Sequence, residues 1–368
     1  RQRPPVGETN DLRGFEWRYV YGQCRSDELV TLSRSGSPVT EVRFAPNGQW
    51  LAVTDGNGNA KLWDHRTRKE IITLPAYTNL TRSGDFVERR ALAISPDGRR
   101  LAVGVGTTIA LWELDAHRQT AVLHGHTNTV NYLMFSPDSQ TLASASSDRT
   151  ARLWNVGANS PEPVAALNVG QRALCLAYSG DGVLLAVGVA ESVVQLWDVS
   201  TPTAPRELPP LKGFTSWAGG LAFSPRTRLL ASGVGSEIIL WDLDTQGNAT
   251  STKRLREVRG SLGVIDTVAF SPDGRMLVSA GSDRNLTLWD LSGRGREPVK
   301  LKGHEGEVYS AGFSPDGKVV ASASYDGAVK LWDVSSPWPP ARQMSHGDWL
   351  YAVAFSQDSR FLASVAQH

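Results

Sequence analysis

The chain has 368 residues, with 38 basic and 37 acidic side chains and no long block of like charge. That balance argues against a dedicated nucleic-acid surface or a polybasic membrane patch, and no apolar run approaches the ~20 residues of a membrane-spanning helix. Cys24 and Cys175 stand outside any CxxC or Cys/His spacing, so neither a disulfide framework nor a zinc site is expected, while 12 Trp with 35 Gly and 20 Pro point to turn-rich β structure.

The chain opens without Met on "RQRPPVGETN" and reads as a segment of a longer protein, with no signal peptide. "DLRGFEWRYVYGQCRSDELVTL" (11–32) supports two readings. As a helix, Asp11 caps it and Leu12, Phe15 and Tyr19 share a face. As a strand, Phe15, Trp17, Tyr19 and Tyr21 alternate with period 2. Leu74 and Leu123 each stand 11 residues after a Trp, and Leu32 stands 11 after Tyr21, so "YVY" can occupy the place of "KLW". "ELVTL" matches the fourth strand of a repeat.

From there the sequence repeats itself. Leu-Trp recurs seven times, at Trp63, Trp112, Trp154, Trp197, Trp241, Trp289 and Trp332, spaced 49, 42, 43, 44, 48 and 43 residues apart. An apolar residue followed by a turn precedes each: "FAPNG" from Phe44, "ISPDG" from Ile94, "FSPDS" from Phe135, "YSGDG" from Tyr178, "FSPRT" from Phe223, and "FSPDG" from Phe270 and Phe313. An eighth, "FSQDS" from Phe355, has no Leu-Trp after it. Segments such as "EVYSAGF" alternate with period 2, and "VVASAS" is a short run of small and apolar residues. Pro-Asp-Gly between them presets φ at Pro and accepts φ > 0 at Gly. "AVKLWDV" is a third strand, and pieces such as "EIITLP" or "PVKLKG" a fourth.

A period of about 40–45 residues with Gly-His and Trp-Asp dipeptides resembles the WD-repeat β-propeller family from Asp27 to the C-terminus. The resemblance implies an all-β propeller with blades of four antiparallel strands. Eight turn phrases predict eight blades over 27–368, with seven blades and a leftover hairpin as the alternative. Residues 1–26 read as a linker or closure segment. "DLRGFEWRY" followed by "LVTL" also resembles the junction before the WD repeats of large bacterial serine/threonine protein kinases. There it ends a helical linker, so helix is the reading adopted for the segment.

The WD-repeat resemblance implies a buried hydrogen-bonded set of His, Ser, Asp and Trp in each complete repeat. Two repeats carry all four: His126, Ser144, Asp148 and Trp154, then His304, Ser322, Asp326 and Trp332. Singly, His-Asp-Ser looks like a catalytic triad; its recurrence at the same offsets marks it as structural. Elsewhere the set is broken. Ser261 replaces the His ahead of Trp289, Phe214 replaces it ahead of Trp241, and Val53, Val103 and Val187 stand at the Ser position. These apolar replacements are expected to be nearly neutral. "DGNGN" (55–59) mimics a calcium loop, but Ala60 and Arg66 break the pattern. "GVGTT" and "GVGSE" read as turns, since neither is a P-loop. Asn79, Asn248 and Asn285 begin sequons with nothing to indicate secretion. No cofactor or metal is expected.

Binding is the function a propeller most often serves. The family's contact offset falls on the loops entering each first strand and on the second turn. It gives Pro38 and Thr40, Glu88 and Arg90, Thr129 and Asn131, Arg172 and Leu174, Trp217 and Gly219, Val264 and Asp266, Glu307 and Tyr309, Trp349 and Tyr351, with Ser147, Ser282 and Tyr325 on the turns. Aromatics concentrate at Tyr309, Tyr325, Trp349 and Tyr351 on the last two repeats, with Trp217 on another blade, and aromatics anchor interfaces. The expected partner is a protein or peptide. Neither nucleic acid nor membrane insertion by this segment is expected. The reading adopted is a non-catalytic interaction scaffold or sensor module of a larger bacterial signalling protein. The alternative is an enzyme of hydrolase or lyase type using the central channel, which three ionisable groups meeting there would favour. The sequence encodes no compartment. The cytoplasm suits such a segment, and the kinase resemblance implies a membrane-anchored parent. The C-terminal "SRFLASVAQH" stops at the second turn. The expectation is that its hairpin shares a blade with residues 15–32.

Overall fold

A computed structural model describes residues 30–34, 37–48, 50–55, 60–64, 67, 69–74, 91–116, 118–158, 160–214, 216–256, 263–335, 350–355 and 362–366. All regular structure among them is β-strand. The chain divides into two units, Arg1–Ser335 and Ser336–His368.

The first unit contains seven four-stranded antiparallel sheets. The innermost strands, here called a, are Val39–Phe44, Leu92–Ile94, Val130–Phe135, Ala173–Tyr178, Ala218–Phe223, Ile265–Phe270 and Val308–Phe313. They define blades 1 to 7, and strands b, c and d follow outward in each. Every Leu-Trp tryptophan lies on a strand c opposite an apolar residue of strand b: Leu51↔Trp63, Leu142↔Trp154, Leu277↔Trp289 and Val320↔Trp332 are four of the seven pairs. Spacing the tryptophans by one repeat therefore places each at the same height in its sheet.

The a–b turns follow the sequence chemistry. In blade 7 the Ser314 hydroxyl donates to Asp316 Oδ1, which also accepts the Lys318 amide, and Gly317 takes φ 70°. A left-handed residue costs an L side chain 1–2 kcal/mol, which is why Gly stands there.

Seven buried apolar clusters hold the sheets together, and each bridges two adjacent blades. The one that closes the ring packs Val39, Val42, Leu51 and Val53 of blade 1 against Ala321, Ala323, Val329 and Leu331 of blade 7. On the a–b turn side of the same seam, a Cβ on Gly48 would lie 3.8 Å from the Pro315 ring.

The ring therefore closes at seven blades, not eight. Strand Val30–Arg34 is the outermost strand of blade 7, with Val30↔Leu331 and Arg34↔Ala328. "ELVTL" does close the ring as a strand d, but on the blade of Trp332 rather than on the C-terminal hairpin. That hairpin, Leu350–Phe355 with Leu362–Ala366, forms a two-stranded sheet of its own within the second unit. Residues 15–29, where helix and strand competed, lie outside the described residues.

Candidate functional site

Both predicted four-residue sets assemble. In blade 3 the His126 Nδ1 lies 2.7 Å from Asp148 Oδ2 and its Nε2 2.7 Å from Ser144 Oγ, which accepts the Trp154 indole N–H at 2.8 Å. Blade 7 repeats this with His304, Asp326, Ser322 and Trp332 at 2.9, 2.7 and 2.8 Å. Burial alone would push the Asp148 carboxyl up, but bonds from Thr150, His126 and the Thr127 amide bring it down to about 2. Burial likewise opposes the Asp326 charge, yet His304 and the Glu305 and Ala328 amides hold it well below the usual carboxylate range. Burial keeps the His126 imidazole below its ordinary value in spite of Asp148. The His126 side chain is wholly buried, and Ser144 is too. The connectivity is that of a triad, but no substrate can reach the hydroxyl.

Each strand a begins where the neighbouring b–c turn ends. The Ser147 amide donates to Thr129 O, Ala190 to Arg172 O, Ser282 to Val264 O and Tyr325 to Glu307 O. The two families of predicted contact residues thus share one face of the ring, here called the upper face. The first position is outward in four of the pairs: Arg172 and Glu307 are exposed, Trp217 is 49% exposed and Val264 39%. Three of the second positions turn inward. Thr40 is buried against Thr54, the Asn131 amide nitrogen donates to Ala173 O of the next blade, and a Cβ on Gly219 would collide with Ile265 O.

Tyr325 is 54% exposed, and its ring meets half-buried Tyr309 edge-on at 6.4 Å. Trp217, Val264 and Tyr325 consequently form an exposed apolar series on blades 5, 6 and 7. Val264 is easily passed over in the sequence, because only its exposure sets it apart. Trp349 lies outside the described residues, as does the side chain of Tyr351. Blade 7 is flanked in the ring by blades 6 and 1.

Ionisable groups do meet on the innermost strands. Arg43 of blade 1 bonds Glu41 Oε1 at 2.5 Å, Ser310 Oγ of blade 7 at 3.1 Å and the Tyr132 hydroxyl of blade 3 at 2.7 Å. Ser310 also donates to Glu41 at 2.9 Å. Burial works against the Arg43 charge, but Glu41 and Tyr132 outweigh it and raise its pKa. The charges satisfy one another. Among the described residues, no cluster of three His, Cys, Asp or Glu side chains could hold a metal ion, and no helix is long and apolar enough to cross a membrane.

A family model described as "WD domain, G-beta repeat" matches residues 26–64, 117–155, 252–290 and 295–333. The chain is built of WD40 repeats. It is 28% identical over 278 residues to periodic tryptophan protein 2 of Arabidopsis thaliana, an alignment covering 74% of this chain and 29% of that protein. It is 24% identical over 289 residues to the serine-threonine kinase receptor-associated protein of Gallus gallus, covering 72% and 75%. To the nuclear distribution protein PAC1 of Arthroderma benhamiae it is 26% identical over 284 residues, covering 76% and 54%. The chain thus spans under a third of the first relative and about half of the third.

The broken WD40 sets fall into two kinds. In blade 5, Phe214 stands where His would and packs on Trp241 with ring centroids 5.2 Å apart, as His126 does on Trp154 at 6.0 Å. Ser232 still accepts that indole at 3.1 Å, so the Phe fills the volume and keeps the tryptophan bonded. Blades 2 and 4 differ. The indole N–H groups of Trp112 and Trp197 are buried without a hydrogen-bond partner, because Val103 and Val187 replace the acceptor and the donor stays. The near-neutral expectation for these sites is therefore corrected: it holds only when donor and acceptor leave together. In blade 6, Ser279, Asp283, Thr287 and Trp289 line a recess.

Proposed function

We propose that this WD40 ring is a protein-interaction module whose upper face, across blades 5 to 7, holds a protein or peptide partner. The observation that carries the reading is the placement of Trp217, Val264 and Tyr325. Trp217 and Val264 stand exposed at matching positions of blades 5 and 6, and Tyr325 stands exposed on the b–c turn of blade 7. Leaving such groups in water is unfavourable, and aromatic anchors dominate interface energies. Arg172 and Glu307 border the series and supply a polar rim. The burial of the triad-like His126 and Ser144 supports binding over catalysis at those sets.

The test is comparative capture. Wild type and the Trp217→Ala/Tyr325→Ala variant are used as affinity baits at matched thermal stability. A partner lost by the variant supports the reading, and one retained at wild-type affinity places the interface elsewhere. The junction at 11–32 supports attachment to a bacterial signalling protein bearing a kinase, and isolating the full-length parent tests that directly. A second reading, catalysis in the channel, has one observation in its favour, the Glu41–Arg43–Tyr132 cluster. Loss of a measured hydrolase or lyase activity in Arg43→Met without loss of folding would promote it.

A further inference from the structure

Blades 3 and 7 present the same hydrogen-bonded platform on the upper face and dress it differently. In blade 7 the Glu305 amide donates to Asp326 Oδ2 at 2.8 Å, the Ser324 hydroxyl to Gly306 O at 3.1 Å and the Tyr325 amide to Glu307 O at 2.8 Å. In blade 3 the Thr127 amide donates to Asp148 Oδ2 at 3.0 Å, the Ser146 hydroxyl to Asn128 O at 3.0 Å and the Ser147 amide to Thr129 O at 2.9 Å. The bonds correspond one for one. Blade 3 makes them with Thr127, Thr129 and Ser147 where blade 7 has Glu305, Glu307 and Tyr325. The fold does not require two carboxylates and an exposed ring at those places.

The chemistry of the three side chains is specific. Glu305 and Glu307 are exposed, and neither carboxylate has an ion-pair partner among the described residues. Lys330, the buried cation beneath the loop, donates to Gly303 O at 2.9 Å. The platform also holds the loop's backbone against the turn that carries the ring. The loop is packed so tightly on the turn that a Cβ on Gly306 would lie 3.2 Å from the Tyr325 Cβ and 2.8 Å from the Asp326 amide. An exposed aromatic face attracts a cation and disfavours an anion, and adjacent carboxylates act in the same direction. The geometry points to a recognition site on blade 7 for a cationic side chain, the guanidinium of Arg or the ammonium of Lys. An extended partner segment would carry it, with apolar residues lying on Val264 and Trp217. This rests on the upper-face reading above and assigns the partner's charge.

Random dodecamers displayed on phage and selected on the immobilised chain provide the probe. Enriched sequences are synthesised and titrated by fluorescence anisotropy. The main variant, Glu305→Thr/Glu307→Thr/Tyr325→Ser, carries the blade 3 residues and should melt as wild type does. Glu305→Gln/Glu307→Gln removes only the charge and serves if the first variant is destabilised. Enriched peptides should contain Arg or Lys beside an apolar residue. Their affinity should fall about tenfold or more in either variant, and fall again as salt rises from about 50 to about 300 mM. Enrichment of neutral or acidic peptides, unchanged affinity in both variants, or no enrichment at all would overturn the cation site. If Trp217→Ala weakens binding while the blade 7 variants do not, the upper face stands and the cation site falls. If none of them weakens binding, both fall.

Discussion

Asp148→Asn keeps the shape of the blade 3 turn and removes its charge. Each Asp148 oxygen accepts two bonds. Oδ2 takes His126 Nδ1 at 2.7 Å and the Thr127 amide at 3.0 Å, while Oδ1 takes the Thr150 amide at 2.9 Å and its hydroxyl at 2.6 Å. An asparagine retains one oxygen and turns an NH2 group toward two donors. Losing two bonds to a charged acceptor costs about 3–5 kcal/mol at neutral pH. The carboxylate is only 4% exposed, so solvent screens little of this.

The pH dependence gives a second, sharper handle. The Asp148 carboxyl titrates near 2 in the fold against 3.8 when free. That difference is worth about 2 kcal/mol. It is fully present above pH 3.8 and is lost as pH falls toward 2, because the unfolded chain binds the proton first. His126 gives both proteins a loss at higher pH, which does not narrow the gap between them because Asp148 raises rather than lowers its imidazole pKa. Its imidazole is held below 6.5 in the fold, so the unfolded chain is protonated first as pH drops through that value. The other carboxylates titrate in both proteins and cancel. Urea midpoints at pH 7, 4 and 2 should therefore show a gap that stays open down to pH 4 and is smaller by about 2 kcal/mol at pH 2. A gap under about 1 kcal/mol at pH 7, or one that does not change with pH, would refute the reasoning.

Val187→Thr places a hydroxyl where Ser144, Ser279 and Ser322 hold theirs, 2.8–2.9 Å from the indole of their blades, and should stabilise by about 1 kcal/mol in calorimetry; Val187→Ala is the control. Ser261 precedes Ser279 by the same 18 residues that separate His126 from Ser144, so Ser261→His should complete the blade 6 set and raise its melting temperature. Removing residues 336–368 should leave the melting of the ring unchanged, whereas removing 1–33 strips strand d from blade 7 and should abolish cooperative unfolding near the wild-type midpoint.

Much of the fold was legible because its determinants are local. Pro-Asp-Gly fixes a turn wherever it occurs, and a Trp every 42–49 residues fixes a strand c against its strand b. The His-Ser-Asp-Trp sets were legible for the same reason, since their members lie within one repeat. The Glu41–Arg43–Ser310–Tyr132 cluster was not, because its members come from blades 1, 3 and 7 and Ser310 stands 269 residues from Glu41. The orphaned indoles of blades 2 and 4 were missed for another reason. The substitution of Ser by Val is visible in the sequence, but whether another acceptor reaches the Trp is decided by the packing around it.

The number of blades depends on a stagger between repeat and blade. The match at 26–64 contains strand Val30–Arg34 followed by strands a, b and c of blade 1, so each sequence repeat begins with strand d of the preceding blade. A chain that starts on strand d therefore leaves its first strand to complete its last blade. "FSQDS" predicts an a–b hairpin, and the hairpin exists, but counting it as a blade assumed that "ELVTL" would be left to close it. Val30–Arg34 is already paired with Ala328–Leu331, and the Val39 and Val42 side chains of blade 1 are already packed on blade 7. A further blade would have to break both the seam and the strand pairing, and a hairpin of two five- to six-residue strands offers too little apolar surface to replace them.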